Sequence, residues 1–105
     1  MKYVLVFYGG GMPDTPAAQA RVLRQWDTWY RKLGKAVVDA GLPFSGRVNK
    51  IRDDGSTAKG AIGQRATGYA ILDAKDLDRA TRMARDCPIL KSGGSVSVYE
   101  TASMM

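Results

Sequence analysis

Few side chains in this 105-residue sequence could do chemistry, and two of them stand together at Asp86 and Cys87, just before Pro88. A thiolate is a strong nucleophile, and a carboxylate can serve as a general base once desolvation lifts its proton affinity. Both residues fall where a helix is expected to end. The negative partial charge of that end, with Asp86 adjacent, disfavours a thiolate at Cys87. Cys87 therefore also reads as a small packing residue, and Asp86 as a helix-end carboxylate. The sequence contains no histidine, and its one cysteine cannot close an internal disulfide. No transition-metal ligand set remains, so neither a metal nor a cofactor is expected.

A second group of candidates is largely aromatic. Trp26, Trp29 and Tyr30 crowd onto one helical stretch. Trp26 and Tyr30 fall on its apolar stripe, whereas Trp29 lies beside the stripe with Val22 and Ala36, placed to line a pocket or touch a second chain. Tyr8, Tyr69 and Tyr99 sit on strands, where a phenol without a protein partner becomes a hydrogen-bond donor for a ligand. Arg47 could pair with an anionic ligand through its forked guanidinium. Trp29, Arg47, Tyr69 and Tyr99 are thus the expected ligand-binding residues, with Asp86 and Cys87 the catalytic candidates.

Few elements are available to position them. Thr15 to Ala40 reads as one long amphipathic helix, because Leu23, Trp26, Tyr30, Leu33, Val37 and Ala40 recur at steps of three and four. Thr15 before Pro16 is a start signal, and Gly41 with Pro43 a stop. Ahead of the helix, Lys2 to Tyr8 is a strand with two apolar faces, Tyr3, Leu5 and Phe7 on one and Val4, Val6 and Tyr8 on the other. Gly9-Gly10-Gly11 is a loop that lacks the Lys-Ser/Thr of a phosphate cradle. Leu42 to Arg52 is expected as the second strand, Asp53 to Ser56 as a tight turn and Thr57 to Lys59 as a brief return. Ala66 to Leu72 makes the third strand and Ser95 to Thr101 the fourth. Between them Asp73 to Asp86 is the second helix, with Leu77, Ala80 and Ala84 inward and Asp76 or Asp78 near its positive end.

The order β-α-β-β-α-β predicts an α+β, ferredoxin-like fold: a four-stranded antiparallel sheet with both helices on one face. The length suits a single domain spanning residues 1–105. Tyr8, Tyr69 and Tyr99 leave the other face too apolar for water, since burying each large side chain is worth roughly 1.5–3 kcal/mol. A second copy of the chain is the simplest cover, which predicts a two-fold homodimer with its sheets face to face.

Apolar residues make up 45% and charged residues 25% of the chain, the balance of an ordinary globular protein without a membrane span. The first apolar run is too short for a secretory signal, so a cytoplasmic location is expected. The net charge of +6 raises the question of nucleic acid. Arg21, Arg24, Arg31 and Lys35, and again Arg79, Arg82 and Arg85, read as solvated helix faces without interleaved aromatic side chains, so no nucleic-acid partner is expected.

Four local strings, in order, give the chain a family likeness: KYVLVFYGG (Lys2 to Gly10), AGLPFSG (Ala40 to Gly46), ATGYAIL (Ala66 to Leu72) and CPILKSGGSVSVYE (Cys87 to Glu100). The chain resembles the YCII-related family, and within it the DGPF-domain group. The resemblance implies a dimeric α/β barrel of small bacterial cytoplasmic proteins that use a histidine–aspartate pair as general acid/base, a few of which act on aromatic or halogenated small molecules. It also implies a regulatory protein partner as one option, because such genes often sit beside those of alternative sigma factors. This chain departs from the pattern: it has no histidine, Cys87 stands where an aspartate often precedes proline, and Lys59-Gly60-Ala61-Ile62 stands at the DGPF string. The likeness and its departures together predict a dimer that binds a small aromatic or acidic molecule, or a regulatory protein, without the dyad. The alternative is a small-molecule enzyme using aspartate and tyrosine as acid–base groups.

Overall fold

The strand that is apolar on both faces becomes the middle of a sheet. In the computed structural model, which describes residues 1–103, β1 (Lys2–Tyr8) is flanked by β5 (Ala66–Asp73) and β6 (Ser95–Glu100), with β2 (Val37–Asp39) beyond β5. The last two positions of the expected 1–105 domain lie outside the described residues. All three pairings are antiparallel, and the order β2-β5-β1-β6 is consistent with a ferredoxin-like fold. Tyr3 and Leu5 are fully buried and Phe7 nearly so, while Val4, Val6 and Tyr8 are half-buried on the opposite face.

Two helices cover the Leu5 face. Helix α1 (Pro16–Leu33) starts as its sequence dictates: the Thr15 hydroxyl accepts the Ala18 N–H at 3.2 Å, and Pro16 needs no acceptor. Helix α2 (Leu77–Ala84) is capped by Asp76, whose carboxylate accepts the Arg79 N–H at 2.8 Å. Trp29 of α1 and Ala84 of α2 meet Leu5, Phe7, Ala70 and Leu72 in one core, closed by Cys87 and Ile89.

The structure differs from the sequence reading at the end of the first helix. Gly34 adopts φ +57° and stops α1 at Leu33; a 3-10 turn over Gly34–Ala36 then feeds directly into β2. Val37 therefore belongs to a strand, as a β-branched pair with Val38 favours. The sheet's second strand is Val37–Asp39, not Leu42–Arg52. Pro43 still bridges Gly68 and the Phe44 N–H still donates to the Thr67 carbonyl at 2.9 Å, but the chain then leaves the sheet. It forms a separate two-stranded hairpin, β3 (Asn49–Ile51) with β4 (Thr57–Lys59). Helix α2 begins at Leu77 rather than Asp73, because Asp73 completes β5. Leu23 and Leu77, expected inward, are exposed.

The result is flat. The molecule measures 44 × 42 × 18 Å, and its radius of gyration is 15.3 Å, against about 13 Å for a compact chain of this length. Val4, Val6, Tyr69, Ile71 and Tyr99 lie by register on the face that neither helix covers. Among the described residues no helix is long and apolar enough to cross a membrane, and no three histidine, cysteine, aspartate or glutamate residues cluster as a metal site.

Candidate ligand cavity

The early end of β2 decides where a site can form. Once β2 stops at Asp39, residues 40–44 cross the β5 edge at backbone distance. Gly41, at φ +72°, lies so close that a Cβ there would come within 2.7 Å of the Tyr69 carbonyl carbon and closer still to its oxygen. Asp39 locks the crossing with both carboxylate oxygens. Its Oδ1 accepts the Gly41 N–H at 2.8 Å, and its Oδ2 accepts the Tyr69 hydroxyl at 3.0 Å. Phe44 then stacks on Tyr69 with ring centroids 6.0 Å apart.

Between this crossing, the middle of α1 and the Gly9–Gly11 loop lies a cavity of about 650 Å³. Phe7, Trp26, Tyr30 and Phe44 bring aromatic rings to it, and Tyr69, whose side chain lies by register on the opposite sheet face, lines it at the β5 edge where Phe44 stacks on it. Trp26 meets Phe7 edge-on at 5.3 Å, and the Tyr30 hydroxyl donates to the Ala40 carbonyl at 2.9 Å, tying helix to crossing. No lysine, arginine, aspartate or glutamate lines the space. Burial, and then the nearby Cys87 and Asp39, push the Tyr30 phenol up to about 12. The hydrogen bond to Asp39 is the main reason the Tyr69 phenol is also raised. Both phenols therefore stay neutral at neutral pH. The arrangement suits a flat ring, with hydroxyl dipoles at its edge and no ion to neutralise.

No protein-family model matches the chain, and no curated protein matches it. A solved structure does: the 5-chloro-2-hydroxyhydroquinone dehydrochlorinase of Burkholderia phenoliruptrix, in complex with 2,5-dihydroxybenzoquinone. It is similar over 97% of this chain and 94% of its own, with a TM-score of 0.59 and 13% sequence identity. The two share a fold. The likeness to the YCII-related family, and to the DGPF group within it, rests on the four sequence strings.

Of the residues expected to bind a ligand, only Tyr69 reaches the cavity. Trp29 is core: it is 4% exposed, and its indole N–H donates to the Met83 carbonyl at 3.1 Å. Tyr99 stands 55% exposed on the bare sheet face. Arg47 lines a different cavity, beside the hairpin. Asp86 is exposed just after α2, and Cys87 is buried beside it; neither lines the cavity. Burial pushes the Cys87 thiol up to about 11, against a small opposing effect of the Ile89 backbone N–H. A reluctant thiolate is what the sequence suggested, but burial is the cause. Trp26 and Tyr30, expected on the core-facing stripe, do pack against the core and line the cavity as well, whereas Asp39 was missed altogether. The signal was present in Gly41-Leu42-Pro43-Phe44, an apolar run punctuated by turn residues that cannot stay in register.

Proposed function

We propose that the protein is a homodimer that binds an uncharged aromatic molecule, a phenol or hydroquinone, in the cavity walled by Trp26, Tyr30, Phe44 and Tyr69. The observation that carries this reading is the lining, which is aromatic and free of charged side chains. Of the aromatic and acidic ligands that the sequence left open, this lining favours the aromatic. A carboxylate would lose its hydration against walls that offer no cation. The dihydroxybenzoquinone held by the dehydrochlorinase of similar fold points to a ring of this kind. It is a vinylogous acid, however, so only the ring and not its charge carries over.

Binding is favoured over acid–base catalysis. Asp39 already accepts two hydrogen bonds, and the raised phenols of Tyr30 and Tyr69 hold their protons too tightly to serve as bases near neutrality. The second copy belongs on the bare sheet face. Val4, Val6 and Ile71 at its centre carry no charge with which to select a foreign regulatory protein, whereas a twin chain is always present at equal concentration.

Thermal unfolding with hydroquinone, catechol and benzoate tests the site. A ligand at a hundred times its Kd adds about 2.7 kcal/mol of stability. Hydroquinone or catechol is expected to raise Tm and Trp26→Ala to abolish the rise. Benzoate acting as strongly as the neutral rings would overturn the charge argument, and no shift with any of the three would overturn the site. Sedimentation tests the dimer separately: Val6→Asp should yield monomers, and a monomeric parent protein at micromolar concentration would refute the pairing.

A further inference from the structure

A second cavity, of about 570 Å³, opens beside the β3–β4 hairpin, and its chemistry is the reverse of the first. Arg47, Asn49, Lys59 and Arg65 line it with the backbone of Gly46 and Gly60, and no carboxylate is among the lining residues. The fold gathers these side chains from separate places. Asn49 and Lys59 are direct partners in the hairpin ladder and so share a face, and Arg47 stands two residues ahead of β3 on the segment that enters the hairpin. Arg65 arrives on the loop leading into β5, and its guanidinium donates to the Gly46 carbonyl at 3.4 Å.

Among the described residues the ion pairs are those of the Met1 amino group with Asp73 and of Arg31 with Asp27, so Arg47, Lys59 and Arg65 are unpaired. Asp53 and Asp54 lie at the far tip of the hairpin, where Asp54 accepts the Ser56 N–H at 2.8 Å. Three cations around one space repel one another, and an anion with several oxygens relieves that repulsion while accepting charge-assisted hydrogen bonds. No aromatic side chain lines this cavity, so base stacking contributes nothing. We infer that it is a binding site for a small phosphate-type polyanion, held by Arg47, Lys59 and Arg65 and separate from the aromatic cavity.

Titration of the isotope-labelled protein with pyrophosphate, followed by amide NMR, tests this directly. Saturable shifts are expected at Gly46, Arg47, Asn49 and Gly60, and none in sodium chloride of equal ionic strength. Inorganic phosphate and adenosine monophosphate, added in turn, distinguish a free anion from a phosphorylated metabolite; saturation of the same amides by either supports the site. Arg65→Ala and Lys59→Ala should each weaken pyrophosphate binding by about ten-fold or more. Arg24→Ala, which removes a charge from α1, should change it by less than about two-fold. Equal shifts in chloride, or an equal loss with Arg24→Ala, would overturn the inference. So would a single-stranded oligonucleotide that binds more tightly than pyrophosphate with shifts spread along α1, the mark of an extended nucleic-acid surface.

Discussion

Replacing Gly41 by alanine is expected to cost far more than the loss of one flexible residue. The added Cβ would lie 2.7 Å from the Tyr69 carbonyl carbon and nearer its oxygen, and both are backbone atoms of a strand paired on each side. Strand β5 cannot retreat, so residues 40–44 must lift away. That movement strains or breaks the Phe44–Thr67 ladder bond at 2.9 Å and the Asp39 contacts to Gly41 at 2.8 Å and Tyr69 at 3.0 Å. Each such bond is worth about 0.5–1.5 kcal/mol, and the left-handed φ of +72° costs a non-glycine residue a further 1–2 kcal/mol or so. The sum is roughly 3–6 kcal/mol, a fall in Tm of about 15 °C or more for a domain of this size. Gly63→Ala is the matched control, since Gly63 has φ +74° but no atom within 4 Å of the added Cβ. It should lose only the conformational part, about 1–2 kcal/mol. Urea denaturation of the two variants measures the difference, read from midpoints at constant m-value. Equal destabilisation in both would refute the close crossing as the device that shapes the cavity.

Other expectations concern the core and its ionisable groups. Trp29→Phe keeps a ring but leaves the Met83 carbonyl without its donor, and should cost about 1–3 kcal/mol in urea unfolding; no measurable loss would place Trp29 outside the core. Cys87 should resist a thiol reagent at pH 8 until denaturant is added, and prompt labelling of the native protein would contradict its burial. The thiol rises from 9.0 to about 11 and the Tyr30 phenol from 10.0 to about 12 on folding. The folded state therefore holds these protons more tightly. Stability should be flat below about pH 9 and fall toward pH 12, by up to roughly 2–3 kcal/mol for each group. Thermal melts at pH 8 and pH 11 that coincide would sink this. Thr15→Ala removes the cap of α1 and should cost about 1 kcal/mol, checked by the same urea titration.

Where one local rule acted alone, the sequence could be read. Lys2–Tyr8 had the unbroken apolar run of a strand in the middle of a sheet, and Thr15-Pro16 marked the start of α1 by side-chain chemistry that needs no tertiary partner. Where two rules competed, the reading failed. Leu33, Val37 and Ala40 keep a helical interval, yet Gly34 intervenes and the sheet offers Val37 a partner in Leu72. A hydrogen-bonded ladder outweighed the continuation of the stripe. The same ambiguity displaced the site. Val22, Trp26 and Trp29 form an apolar line as regular as Leu23, Trp26 and Tyr30. Which line meets the core depends on how α1 rolls against Phe7 and α2, a relation that no local spacing contains. Asp39 was invisible for a related reason: its partner Tyr69 stands 30 residues away.

One consequence lies in the pairing of β1 with β6, where Tyr3 faces Glu100 across 97 residues of chain. The central strand cannot be zipped along that edge until nearly all the rest of the chain has been threaded around it. Closing so wide a loop is slow, and in the meantime an apolar ribbon with an open row of amides is on offer to any neighbour. Refolding yield should therefore fall steeply with protein concentration, even when the finished molecule is stable.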